Sequence, residues 1–169
     1  VTKKTPRAAS RSGEVSRNWP APEIHAIGFG PDGCKEHEIE TAAELKAVLA
    51  AHPVTWVDVQ GLGDDTVLRE LGELFEIHPL ALADLVNVPQ RPKTDAYERH
   101  QLFIATMLAV DERGELGSEQ VSLFIGKNYL LTFQEKHGNL FDSVRRRLRD
   151  NVGMLRSSGA DYLSYCLAL

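Results

Sequence analysis

The sequence predicts an α/β (α+β) fold, a three-layer α/β/α sandwich in which helices cover both faces of one mixed sheet. In the first half, β-branched runs alternate with amphipathic helical periods, giving the order ββαβαα. The second half opens with four strand-like segments joined by short turns, as in an antiparallel meander, then returns to helical spacing. Size and composition agree with this. With 169 residues, 43% hydrophobic and 25% charged, the chain can bury a core of its own without disulfide or metal staples.

Residues 1–22 read as a flexible basic leader. Lys3, Lys4, Arg7, Arg11 and Arg17 face only Glu14, among Ser, Gly and Pro with few large apolar side chains. From Glu23 a weakly alternating strand runs to the Gly30-Pro-Asp-Gly33 turn, and Cys34 to Ile39 returns as its hairpin partner. Thr41 followed by Glu44 has capping-box spacing, and Leu45, Val48 and Leu49 form the apolar stripe of a helix stopped by His52-Pro53. Val54 to Gln60 is a strand bounded by Gly61 and Gly63. Asp64 and Asp65 cap a helix whose apolar face is Val67, Leu68, Leu71, Leu74 and Phe75. Pro79 opens a short helix to Val86, and Asn87-Val-Pro-Gln-Arg-Pro forbids its continuation. Ala96 to His100, Leu102 to Val110, Glu119 to Ile125 and Tyr129 to Gln134 are the meander strands, with turns at Asp111-Glu-Arg-Gly and Gly126-Lys-Asn. A helix carrying Phe141, Val144, Leu148 and Val152 follows, and then a segment from Gly159 to Leu169 apolar at Leu163, Cys166 and Leu167. The expected core is Trp56, Leu71, Phe75, Phe103, Leu123, Phe133 and Leu148.

Charge and motifs exclude several function classes. Net charge is −5 with the basic residues of the leader included, so the body is acidic; it repels nucleic-acid phosphates and attracts cations. No uncharged stretch approaches the about 20 residues that span a bilayer, and no signal-peptide core follows the leader. Two cysteines without a CxxC favour a reducing compartment. Gly126-Lys127 lacks the rest of a phosphate loop, and neither GxGxxG nor GxSxG occurs. The six histidines make no HExxH; Cys34 and His37 have no companion pair for zinc. Arg145, Arg146, Arg147 and Arg149 read as the solvated face of an amphipathic helix rather than a phosphate site.

Asp84 remains. It lies near the C-terminal end of its short helix, where the helix dipole disfavours a lone acid, so it is a candidate for cation or partner contact. The segment around it, Ile77-His-Pro-Leu-Ala-Leu-Ala-Asp-Leu-Val-Asn-Val-Pro-Gln-Arg-Pro-Lys93, is joined downstream by Ser118-Glu-Gln-Val-Ser122, Thr132-Phe-Gln-Glu135, Phe141-Asp-Ser-Val-Arg145 and Gly159-Ala-Asp-Tyr-Leu163. In that order and spacing these motifs closely resemble the cytoplasmic N-terminal domain of CorA-type magnesium/cobalt transporters. The resemblance covers about residues 54 to 169.

The resemblance implies a homopentameric ion channel on the inner membrane, whose cytoplasmic domains form a funnel joined by stalk helices to transmembrane helices. It implies no enzyme, no nucleic-acid partner, and a regulatory Mg²⁺, with Co²⁺ also possible, bound between neighbouring domains to hold the channel closed. Asp84 matches an acid of such a site, its partner carboxylate lying beyond residue 169. The domains implied are 23–158 for the cytoplasmic body and 159–169 for the start of the stalk, and the apolar, uncapped end at Leu169 leads us to expect the chain to continue. The family's Gly-Met-Asn pore signature is absent from these residues. Ala83 stands where relatives often carry Glu, and Leu169 at or next to a frequent Asp, which removes carboxylates from a second accessory site. Pro89 replaces a common His. Two alternatives stay open: the same domain of a zinc-transporting relative, and a small-molecule-binding α/β enzyme, which no motif supports.

Overall fold

Side chains alternate across a pleated strand, so a strand apolar on both faces must be covered on both, and the helices divide between the two faces accordingly. A computed structural model describes residues 18–110 and 113–169. Its elements are β1 (Glu23–Gly30), β2 (Gly33–Ile39), α1 (Ala42–Ala51), β3 (Val54–Gln60), α2 (Asp65–Leu74), α3 (Pro79–Val86), β4 (Lys93–Ala96), β5 (Gln101–Val110), β6 (Leu116–Ile125), β7 (Tyr129–Gln134), α4 (Asp142–Arg149), a 3-10 turn (Leu155–Ser157) and α5 (Ala160–Ala168). The seven strands form one sheet in the order β2-β1-β3-β7-β6-β5-β4. β3 and β7 pair in parallel, and the other neighbouring pairs are antiparallel, so the sheet is mixed as the sequence predicts. No helix among the described residues is long and apolar enough to cross a membrane.

Local chemistry fixes where the helices begin. Thr41 Oγ1 accepts from Glu44 N at 3.2 Å while the Glu44 carboxylate accepts from Thr41 N at 3.2 Å, a complete capping box on α1. Asp64 Oδ1 accepts from Thr66 N (2.8 Å) and Val67 N (3.3 Å) to start α2. Beyond the end of α2, Glu76 has a φ of 52° and Ile77 N reaches Gly72 O at 2.8 Å; this left-handed corner aims the chain into α3. His78 Nδ1 then accepts from Leu80 N at 3.2 Å, with Pro79 at the first position of α3. Gly61, at φ +99°, leaves β3 where a Cβ would lie 2.6 Å from the Pro20 carbonyl.

Two apolar layers result. On one face Leu45, Leu68, Leu71, Phe75, Ala81 and Leu85 of the α1–α3 side pack on Val57, Val59, Leu102, Ile104, Leu131 and Phe133. On the other, Phe141, Val144, Leu148, Leu163 and Leu167 pack on Ile27, Phe29, Trp56, Leu123 and Leu130. Of the expected core residues only Phe103 is not fully buried; α5 covers β3, β6 and β7, leaving Phe103 on β5 at the margin.

Three expectations are corrected. The first meander strand is Lys93–Ala96 rather than Ala96 to His100, because Tyr97 N donates to His100 O at 2.9 Å and closes a turn there. β4 is a short polar edge strand, which lacks the apolar alternation that sequence reading relies on. Val152 does not continue the α4 stripe: Asn151, at φ 54°, ends the helix, Val152 N caps Arg147 O at 2.9 Å, and the Val152 side chain is exposed. Arg145 is not on a solvated face; its side chain is 12% exposed and paired with Asp58. The leader residues 1–17 and part of the Asp111-Glu-Arg-Gly turn lie outside the described residues.

Candidate cation site at the corner between α3 and β4

Eight residues of helix, two prolines and the first residue of an edge strand place Asp84. Ala81 and Leu85, one turn apart, bury one side of α3, which leaves Asp84 half-buried on its flank. The loop after α3 is tied down by Gln90, whose backbone N–H donates to Gln120 Oε1 of β6 at 2.8 Å; Gln120 N in turn donates to Glu135 Oε1 at 2.7 Å. Gln90 Nε2 donates to Asp84 Oδ1 at 3.0 Å and to the Asp84 carbonyl at 3.1 Å, the latter satisfying an orphan carbonyl at the end of the helix. Lys93, opening β4, donates from Nζ to Asp84 Oδ2 at 2.5 Å. Residues 93 and 95 share a strand face, so the same ammonium also meets Asp95 Oδ2 at 3.1 Å.

The electrostatics follow. Burial pushes the Asp84 carboxyl up, but hydrogen bonds from Lys93 and Gln90, with the Lys93 charge, outweigh it and hold the group below the usual carboxylate range. Lys93 is raised, chiefly by its bond to Asp84 against the opposing effect of burial and with help from Asp95. Both partners are therefore ionised at neutral pH. The Asp84 side chain keeps 24% of its surface, and a carboxylate has about four lone-pair directions, so two hydrogen bonds leave room for a further cation contact. Asp84 could give a divalent ion one carboxylate ligand, with the Lys93 ammonium already bound to that carboxylate. Among the described residues no group of three or more His, Cys, Asp or Glu is placed to hold a metal ion. Cys34 and His37, three apart on β2, project to opposite faces and cannot share one.

A second acid was not legible as a site. Asp58, 2% exposed in mid-β3, accepts from Thr132 Oγ1 (2.6 Å), from Gln134 Nε2 (2.8 and 2.9 Å) and from Gln60 Nε2 (2.9 Å). Arg145 of α4 pairs with it and with Asp142 at 2.7 Å, its guanidinium 5.3 Å above the Trp56 ring. Trp56 Nε1 donates to Thr132 Oγ1 at 3.1 Å, completing the network. The available signal was Asp58's phase: it alternates with Trp56 and Gln60, so it faces the α4 layer and needs a buried cation.

Comparison with known proteins places this architecture. The chain is 38% identical over 146 residues to the cobalt/magnesium transport protein CorA of Thermotoga maritima, an alignment covering 86% of this chain and 42% of that protein. The chain thus spans less than half the length of that relative. The solved CorA magnesium transporter of Methanocaldococcus jannaschii superposes with a TM-score of 0.61 at 15% identity, covering 85% of this chain and 42% of that one. The cytoplasmic domain of ZntB from Vibrio parahaemolyticus superposes with a TM-score of 0.55 at 14% identity, over 78% and 51% of the two chains. At those identities the likeness is one of fold. The model of the CorA-like Mg²⁺ transporter proteins matches residues 52–166, more than half of the sequence and the segment that contains both Asp58 and Asp84, and the chain belongs to that family.

Proposed function

We propose that this chain is the cytoplasmic regulatory domain of a homopentameric magnesium/cobalt channel, on the inner face of the plasma membrane, and that Mg²⁺ held between neighbouring domains at Asp84 keeps the channel closed. The observation that carries the reading is the 38% identity to the Thermotoga CorA protein over 146 residues, which embraces the Asp84 corner. The corner supports it physically. Mg²⁺ keeps several waters and commonly takes one or two protein carboxylates, so a single half-exposed, ionised acid is a fitting half-site. The second acid belongs, on this reading, to the stalk of the adjacent subunit, which α5 begins; the boundaries 23–158 for the body and 159–169 for the stalk belong to the same reading. An acidic body gives the ring a further reason to respond, since like-charged domains separate unless a cation bridges them.

Asp84→Ala in the full-length transporter tests this. Mg²⁺ should protect the wild-type protein against limited proteolysis, because a ligand that binds the closed assembly stabilises it, and the variant should need at least about tenfold more Mg²⁺ for half-protection. Unchanged Mg²⁺ dependence moves the sensor to other carboxylates. The likeness to the ZntB domain keeps a zinc-transporting reading as the second candidate. Half-protection by Zn²⁺ at concentrations where Mg²⁺ has no effect would select it.

A further inference from the structure

We infer that Lys93 is a tethered competitor for the regulatory ion: its ammonium occupies Asp84 until a divalent cation arrives, then passes to Asp95, so that this exchange sets the ion concentration to which the site responds. The inference rests on the reading of Asp84 as an ion contact and adds residues that the reading does not assign.

Three observations carry it. Lys93 Nζ lies 2.5 Å from Asp84 Oδ2 and 3.1 Å from Asp95 Oδ2, so the ammonium already touches both acids and needs only a side-chain rotation to favour one. Asp84 does not follow it, because Gln90 Nε2 grips Oδ1 and the Asp84 carbonyl while its own backbone is bound to Gln120. Finally the corner is wet enough for exchange: the Lys93, Asp84 and Asp95 side chains keep 33%, 24% and 43% of their surface. An ion of charge +2 joining Lys93, Asp84 and Asp95 leaves one positive charge in the corner. A single carboxylate from the neighbouring chain balances it.

A lysine is suited to this task. It is a compact, strongly hydrated point charge on a flexible stem, able to surrender one carboxylate for another, whereas a bidentate arginine would hold its acid more firmly. Its presence lowers the affinity of the site for any cation and so moves the response toward higher ion concentration. Gln90 acts as a positioning residue and Asp95 as the receiver of the displaced ammonium.

The test uses the full-length transporter with MgCl₂ as the probe, reading the concentration that half-protects against proteolysis and, separately, the Mg²⁺ dependence of the thermal unfolding midpoint. Lys93→Met should lower the half-protecting concentration about tenfold, a figure set by removing one screened charge next to the ion. Lys93→Arg, which keeps the charge, should leave or raise it. Asp95→Asn should raise it about threefold by confining Lys93 to Asp84, and should raise it distinctly less once Lys93 is Met, the coupling that a double-mutant cycle measures. If Lys93→Met does not fold, Lys93→Gln keeps a donor to Asp84 without the charge and takes its place. An unchanged or raised Mg²⁺ requirement in the neutral variants, while Asp84→Asn still raises it, overturns the competitor role and leaves the Asp84 site standing. If Asp84→Asn has no effect in either background, the site itself is wrong and this inference falls with it.

Discussion

Asp58 and Asp84 are both aspartates paired with a cation, yet Asp58 is 2% exposed beneath α4 whereas the Asp84 side chain retains 24% of its surface at an edge of the sheet. Their partners differ as much as their burial. Asp58 is bound by Thr132 and Gln134 of β7 and by Arg145 of α4, all more than 70 residues away in sequence, and so joins the parallel strand pair to the helix above it. Asp84 is bound by Gln90 and Lys93, six and nine residues on. A buried acid with distant partners locks a tertiary arrangement, because separating Arg145 from it strands a charge in a low-dielectric layer and separating Thr132 or Gln134 removes a buried hydrogen bond. A half-exposed acid with local, flexible partners can change them at little cost to the fold.

The sharpest way to break this contrast is Arg145→Met. It leaves Asp58 buried and unpaired and should destabilise the protein by about 3–5 kcal/mol, read as a loss in chemical denaturation. A loss below about 1 kcal/mol would mean that Asp58 is hydrated and that the two acids are alike. Replacing the pair together, Asp58→Leu with Arg145→Met, should recover part of that loss, since apolar groups of similar volume often substitute for a buried ion pair. No recovery would point instead to the Thr132, Gln134 and Gln60 donors left without Asp58.

Asp84→Asn should cost no more than about 1 kcal/mol in the same experiment, a solvent-screened value, and less at high salt. A larger penalty would make the corner a structural lock like the other. The smallest effect is in pH. The Asp84 carboxyl is depressed in the folded protein, so its contribution is present above the unfolded value of about 4 and is lost as pH falls through the folded one. Lys93 is raised, so its contribution is present below about 10.4 and is lost as pH rises through its folded value. Between those limits, subtracting the unfolding profile of Asp84→Asn from that of the wild type should give a flat difference; a step near neutrality would show another group in the corner.

Much of this was legible in the chain itself, for reasons that are local. Thr41 with Glu44, Asp64 ahead of Val67 and Leu68, and Pro79 at a helix start announce their helices because the capping atoms lie within four residues of what they bind. β3 and β7 announce themselves as strands through runs of β-branched, leucine and aromatic residues, and both are buried along most of their length. Asp84 stood out because an acid near a helix C-terminus opposes the dipole. The elements misplaced, β4 and the end of α4, carry no such signal: a polar edge strand has no alternation to read, and Asn151 adopts a left-handed conformation that its neighbours do not dictate.

By itself, then, the sequence determined the order of elements, the two helix-covered faces and the suspicion attached to Asp84, since capping, periodicity and dipole effects act over a few residues. Only the tertiary structure decided that Arg145 turns inward to Asp58, that β3 and β7 lie side by side in parallel, and that Lys93 comes to rest between Asp84 and Asp95. Those pairings depend on how the sheet orders its strands and where α3 and α4 dock on it. The net gain from each is a small difference between desolvation and attraction, settled by burial that no local window of residues contains.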